Sequence, residues 1–224
     1  MKRIYFGMAI LLACSSVQAQ YKKASFLSKS GRTYDLGASA RFLSGGGGTV
    51  PGFYYSYGRD KGKRVFHWFD LEFLVPTKFN YNTNDKADPQ TVVNVTGKSK
   101  FGLAYRYNLA YYLTNVENSE SKLKPFVTAG INFLITGGTA STYDYTPSNA
   151  DPSKIPLFSA FNCGANAGLG GIYSISEKIG IKLTAGYNWQ GTVSTESGSS
   201  VYNVFGNHAY VGLGIRFVIV GDGD

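Results

Sequence analysis

One segment restricts the fold more than any other: residues 98–114 place Phe101, Leu103, Tyr105, Tyr107, Leu109, Tyr111 and Leu113 at every second position, with Lys100, Gly102, Ala104, Arg106, Asn108 and Ala110 between them. A period of two over that length belongs to a β-strand with unlike faces, because successive side chains leave a strand on opposite sides. Seven further segments repeat the pattern. Residues 33–43 set Tyr34, Leu36, Ala38, Ala40 and Phe42 against Thr33, Asp35, Gly37, Ser39 and Arg41. Residues 51–58 set Phe53, Tyr55 and Tyr57 against Tyr54, Ser56 and Gly58, and residues 64–75 set Phe69, Leu71, Phe73 and Val75 against Trp68, Asp70 and Glu72, with Pro76 as the expected end of that strand. Residues 125–136, 161–175, 179–190 and 208–219 complete the set, the last with Ala209, Val211, Leu213, Ile215, Phe217 and Ile219 on one face and Tyr210, Gly212, Gly214 and Arg216 on the other. Eight is an even number, as a closed antiparallel up-and-down barrel requires.

The connections form two classes. Residues 59–63, 115–124 and 176–178 are the shorter set; 76–97, 137–160 and 191–207 are the longer, and only 44–49 breaks the alternation. Short turns at one end and long loops at the other are the habit of transmembrane barrels. Periodicity alone does not say which face points inward, so a soluble lipocalin-like carrier, apolar inside, competes with a membrane barrel, apolar outside. The polar face separates them. Asn162, Gly164, Asn166, Gly168 and Gly170 are small and uncharged, suited to a crowded eight-stranded interior and unlike a water-facing surface. Aromatic residues near segment ends, Tyr34, Phe42, Tyr111, Tyr173, Tyr187, Trp189 and Phe217, read as interfacial girdles.

The first residues read as an export signal. Lys2 and Arg3 precede an apolar run at 4–13, too short to span a bilayer as a helix, and Val17-Gln18-Ala19 is a small-residue cleavage site. The expected organisation is a signal peptide at 1–19 and one barrel domain at 20–224. A competing reading takes Leu11-Leu12-Ala13-Cys14 as a lipobox with Cys14 lipidated, although Leu12 is not the small residue usual there. Loss of Lys2 and Arg3 leaves 20 cationic against 14 acidic side chains, a surplus of six scattered over loops, with no basic stripe suited to nucleic acid. Cys163 then stands alone and is expected to face lipid as an inert small hydrophobe; one Cys and two His provide no metal-ligand cluster, and no cofactor is expected.

The signal, the eight strands, the loop alternation and the ending Tyr210-Val211-Gly212-Leu213-Gly214-Ile215-Arg216-Phe217 together resemble the small outer-membrane β-barrel families of the OmpA-barrel and OmpX-like type. Within that ending Tyr210, Gly212, Ile215 and Phe217 are similar to the terminal signal read by the barrel assembly machinery. Residues 218–224 depart from the pattern by continuing past the aromatic. The resemblance implies a location in the outer membrane of a Gram-negative bacterium, lipid and the assembly machinery as partners, and a monomer. It carries over no catalytic residue.

Inward-facing charges are few and mixed: Asp35, Arg41, Asp70, Glu72, Lys98, Lys100, Arg106, Lys182 and Arg216. An unpaired charge in a narrow interior is costly, so two clusters are expected to fill the lumen. One joins Asp35 to Arg216 and Lys182, and the other joins Asp70 and Glu72 to Arg106 and Lys100. The sharper alternative is a cation-lined ion path, although water-filled channels usually take many more strands. An acyl-transfer enzyme needs a base beside a nucleophile; His208 is expected inward near the outer mouth with Ser194, Thr195 and Glu196 before it, while His67 falls on the outward phase, and no spacing fixes a catalytic set. Residues 45–48 are a glycine run with no helix after them and read as flexible loop. Asn94-Val95-Thr96 is a glycosylation sequon of little meaning in that location. Tyr143, Asp144, Tyr145, Tyr202 and Phe205 in the long loops are the expected contact surface, the role being structural or surface interaction without catalysis.

Overall fold

A computed structural model describes residues 31–43, 48–61, 63–84, 92–114, 121–144, 153–195 and 206–220. Among the described residues there are nine strands: β1 (Gly31–Leu43), β2 (Thr49–Asp60), β3 (Val65–Leu74), β4 (Lys78–Asn84), β5 (Val92–Tyr112), β6 (Leu123–Asp144), β7 (Ser153–Ser174), β8 (Ile179–Thr195) and β9 (His208–Val220). Every pairing between them is antiparallel. The sheet runs β3-β2-β1-β9-β8-β7-β6-β5-β4, and a β3–β5 pairing closes it.

Nine strands make eight staves because β3 and β4 are one stave in two pieces. Leu74 stands opposite Gly102 and Lys78 opposite Lys98, so four residues pass on each side of the break and the register is unchanged. The sequence-based expectation that Pro76 ends the strand is therefore corrected: it interrupts the ladder, which resumes. Proline brings no N–H, and the partner strand carries its own irregularity there, an extra residue between Ser99 and Phe101. Side-chain and backbone bonds bridge the gap, with Thr77 N–H donating to Ser99 Oγ at 2.9 Å and Ser99 N–H donating to Thr77 O at 2.9 Å.

The long connections are also shorter than the polarity pattern indicates. β4, β5, β6, β7 and β8 carry strand pairing well into 76–97, 137–160 and 191–207, with Asn84 opposite Val92 and Asp144 opposite Val93. Asn, Asp, Ser and Pro recur through these stretches, residues more typical of turns than of strands, so their composition reads as loop.

Stagger sets the width of the tube. The inward-facing row Thr33, Gly58, Trp68, Asn108, Gly130, Asn166, Asn188, His208 returns to β1 at Leu43, ten residues beyond its start. Eight staves with that shear tilt by roughly 45°, at the upper end of the usual range, and enclose a lumen that side chains can fill. Large rings lie against glycines inside it. A Cβ added to Gly214 would come within 3.1 Å of the Tyr54 ring, and one at Gly170 within 2.8 Å of Phe126. Small residues on the inner face are what admit these aromatics.

Polarity is inverted relative to a water-soluble domain. Leu36, Phe53, Phe73, Phe101, Leu169, Leu213 and Ile219 are each more than half exposed on the outer face, whereas Asp35, Arg41, Glu72, Lys182 and Arg216 are buried to 1 % exposure or less within. Outward rings of neighbouring staves touch, Tyr34 with Tyr57 at 5.4 Å and Phe69 with Tyr107 at 4.8 Å between centroids.

Candidate functional site

The chemistry of the chain is concentrated in the lumen, where three layers stack from the end holding the first and last strand ends, Gly31 and Val220, toward the long-loop end. The first layer is apolar: Phe66, Trp68, Ala110, Tyr112, Phe126, Ile172 and Val218 form a buried cluster. Phe66 stacks on Tyr112 at 4.3 Å and on Trp68 at 5.2 Å, and Phe126 meets Phe66 edge-on at 5.3 Å. Offset and edge-to-face arrangements of this kind are the favoured ones for ring quadrupoles. Tyr112 directs its hydroxyl to Asp60 Oδ2 at 2.7 Å, which gives the buried phenol its partner.

Above it Asp35 gathers two cations. Arg216 donates through Nε to Oδ1 at 2.7 Å and through Nη2 to Oδ2 at 3.0 Å, and Lys182 Nζ donates to Oδ2 at 2.7 Å. Register explains the pairing, since Asp35 and Arg216 are directly opposite on β1 and β9 while Lys182 lies on β8, one stave further round. The Lys182 ammonium rests 3.8 Å from the Trp68 ring centroid and Arg216 5.6 Å from that of Phe66, so the apolar layer carries the charged one on aromatic faces.

The second charged group spans β1, β3 and β5. Glu72 accepts Arg41 Nε at 3.3 Å and a closer bond from Arg41 Nη2, together with Ser39 Oγ, and Arg106 Nη2 lies 3.5 Å away. Asp70 accepts Ser56 Oγ and Asn108 Nδ2, the latter at 2.9 Å, and faces Arg106 Nε at 3.4 Å. Arg106 also lies over the Tyr210 ring at 4.7 Å. From Arg41 a polar chain continues toward the long-loop end. Arg41 Nη1 and Asn188 Nδ2 both point at His208 Nε2, at 3.1 and 2.9 Å, while His208 Nδ1 faces Gly206 O at 2.7 Å. Two donors converging on Nε2 make it the acceptor and leave the proton on Nδ1, the tautomer of a neutral ring. Asn132 then donates to Asn188 at 3.2 Å, and Gln190 donates to Asn132.

Asp35, Arg41, Asp70, Glu72, Arg106, Lys182 and Arg216 are thus brought together in two groups inside the tube, four cations to three anions. Lys98 and Lys100 are not. The extra residue between Ser99 and Phe101 reverses the phase, so Ser99 is buried and both lysines are exposed; Arg41 holds the place beside Glu72 expected for Lys100. His67 is on the outward phase with Nδ1 3.3 Å from Tyr107 Oη, and Cys163 is part-exposed on the same phase. Ser39, Ser56, Asn108, Asn132, Asn188 and Gln190 join the network although nothing in the sequence singles them out beyond their inward phase. Tyr210 and Gly212 face the lumen, whereas Ile215 and Phe217 face out and are 50 % and 39 % exposed, and β9 continues past Phe217 to Val220. The loop residues Tyr145, Glu196, Tyr202 and Phe205, the side chains of Tyr143, Asp144, Ser194 and Thr195, and residues 1–20 lie outside what the structure describes.

No family model and no curated protein matches the sequence. Solved structures do match. A major outer membrane protein from Thermus thermophilus aligns over 84 % of this chain and 99 % of its own, at 13 % identity and a TM-score of 0.50. The N-terminal β-barrel domain of Pseudomonas aeruginosa OprF aligns over 84 % and 97 % at 14 % identity with a TM-score of 0.38. Neisserial surface protein A aligns over 85 % and 97 % at 13 % identity with a TM-score of 0.38. With a continuous antiparallel sheet closed between β3 and β5, apolar outside and charged within, the chain has the fold of the small eight-stranded outer-membrane β-barrels.

Proposed function

We propose that this chain is an integral outer-membrane barrel whose wall faces lipid, whose lumen is plugged, and whose role is structural or surface-interacting through its long loops, without catalysis. The inverted polarity carries the reading: side chains such as Phe53, 64 % exposed, cover the outside while Arg216 and Asp35 are sealed within. A soluble carrier would expose that apolar area to water over a far larger patch than monomeric proteins tolerate. The route through an export signal, the monomeric state, and the contact surface at Tyr143, Tyr145, Tyr202 and Phe205 belong to the same proposal and rest on sequence. His208 has both ring nitrogens engaged by Arg41, Asn188 and Gly206, which supports a structural part for it over that of a base.

The direct test is electrophoresis of the protein from a purified outer-membrane fraction, boiled and unboiled. The expected result is a heat-dependent shift in mobility. Recovery from the soluble periplasm with no shift would overturn the membrane reading and make the lumen a ligand cavity. For the plug, planar-bilayer recording of heat-shifting protein is expected to be silent, because the aromatic layer and the two charged groups occupy the bore in succession. Steady single-channel steps that disappear in Arg106→Ala would favour a small pore instead.

A further inference from the structure

The irregularity at Pro76 and Lys100 re-aims three cations. It places Lys78, Lys98 and Lys100 on the exposed side together, two of them from neighbouring staves in direct register, Lys78 opposite Lys98. Like charges opposed across a ladder are destabilising unless something else compensates them. No salt bridge to any of the three is present among the described residues, and the only exposed carboxylate among the described side chains, Glu177, is at the opposite end of the barrel. Without the extra residue in β5, alternation would send Lys98 and Lys100 into the lumen. The bulge turns both outward and gives the inward position to Ser99, which is tied to Thr77 by three hydrogen bonds, its hydroxyl both accepting from the amide and donating to the carbonyl at 3.2 Å. Bulges commonly redirect side chains in this way.

Height along the wall identifies what these ammonium groups meet. On β5 the outward residues from Tyr111 to Phe101 are apolar or aromatic, and Lys100 comes directly before Phe101 in the chain, at the long-loop edge of that run. Ten residues at about 3.3 Å each, tilted by roughly 45°, span about 23 Å, close to the ~25 Å apolar band of an outer-membrane barrel. The lysines therefore emerge where hydrocarbon ends and headgroups begin, on the side of the long loops. Three cations on the lipid side of the wall at that level, with no carboxylate beside them among the described residues, complement phosphate.

We propose that Lys78, Lys98 and Lys100 form a binding site for the phosphate groups of outer-leaflet lipids, holding a phosphorylated lipid headgroup against the β3/β4–β5 face of the barrel. The inference rests on the membrane reading above.

The test reconstitutes the full barrel in phosphatidylcholine nanodiscs doped with lipid A bearing both phosphates or with its dephosphorylated form, and counts retained lipid by mass spectrometry. Wild-type protein is expected to retain the phosphorylated form at least about tenfold better, and K78Q/K98Q/K100Q to lose that preference, on the scale that a few lysines confer at an anionic surface. A control variant, R32Q/R59Q, neutralises an exposed arginine pair at the opposite end, where Arg32 and Arg59 are in register, and is expected to keep the preference. Equal retention of both lipids by wild-type protein, or an unchanged preference in the triple variant, overturns the site. So does displacement of the lipid by soluble polyphosphate, which would make the lysines a site for free polyanions. Each variant is first run boiled and unboiled. Protein that shifts with heat but shows no phosphate preference sinks this proposal alone, whereas wild-type protein that never shifts removes the membrane reading beneath it.

Discussion

Replacing Asp35 with Asn is expected to cost about 3–5 kcal/mol of barrel stability, the range found when one partner of a buried ion pair is removed and the other remains. Asp35 accepts all three short bonds that hold Arg216 and Lys182, and all three residues are 1 % exposed or less. Asparagine keeps the shape but not the charge, so two cations are left facing each other in a sealed space. Urea unfolding of the barrel from lipid vesicles measures the loss. A second substitution separates charge from packing: adding Lys182→Met to the Asp35→Asn background removes one stranded cation while keeping its stem beside Trp68, and is expected to restore part of the stability. If Asp35→Asn unfolds within about 1 kcal/mol of wild type, water reaches the group and the lumen is wet at that level.

The pairing of Asp35 with Arg216 is legible in the sequence because a closed barrel makes the first and last strands neighbours, and alternation puts both residues on the inner face. Asp70 and Arg106 are legible for a related reason, with the charged residues of 64–75 falling inward beside those of the next stave. Closure and strand number follow from the same periodicity, the choice of outer face from the small uncharged residues such as Asn162, Gly164 and Asn166 on the other face, and all three agree with the structure. What alternation does not convey is any place where it stops being informative. Between Gly97 and Lys100 every residue is polar or glycine, so no apolar side chain reports the phase, and an inserted residue leaves no trace in polarity. Counting by twos sends Lys98 and Lys100 inward, and the bulge invalidates the count. Pro76 misleads in the opposite direction: its missing N–H normally ends a strand, but here the loss falls where the partner strand is itself irregular.

The aromatic layer is hidden by the rule that an inner face is polar. At Val65, Phe66, His67, Trp68 and Phe69 both faces are apolar or aromatic, and nothing in polarity marks Phe66, Phe126 or Val218 as inward. Their common position is the signal that the sequence does hold. All three fall beside the short turns or the chain end, where the inward face needs no polar lining if large rings fill the bore. Tyr112 at the end of β5 belongs to the same cluster, and its phenol still needs Asp60, which explains an acid at the edge of an apolar cluster.

The same layer yields the second large effect. Phe126→Ala is expected to destabilise the barrel by about 3–5 kcal/mol, as ring removal from a packed core usually does, because Phe126 is fully buried and meets Phe66, Trp68 and Tyr112 edge-on. Neighbours have little freedom to collapse into the gap, since Gly170 offers no side chain and the wall itself is held by its ladder. Despite the cavity, planar-bilayer recordings of Phe126→Ala are expected to stay silent. Asp35 with its two cations, and Glu72 with Arg41 and Arg106, still cross the bore above the vacated space, and each lies in a hydrogen-bonded group. Conductance is expected only when both charged groups are opened as well, in Phe126→Ala combined with Asp35→Asn and Glu72→Gln, where the four cations lose two of their carboxylates. Channel activity in the single Phe126→Ala variant would show that the aromatic layer alone closes the tube and that the charged groups line a path; silence in the single variant with steps in the triple would show that the charged groups close the tube without the aromatic layer.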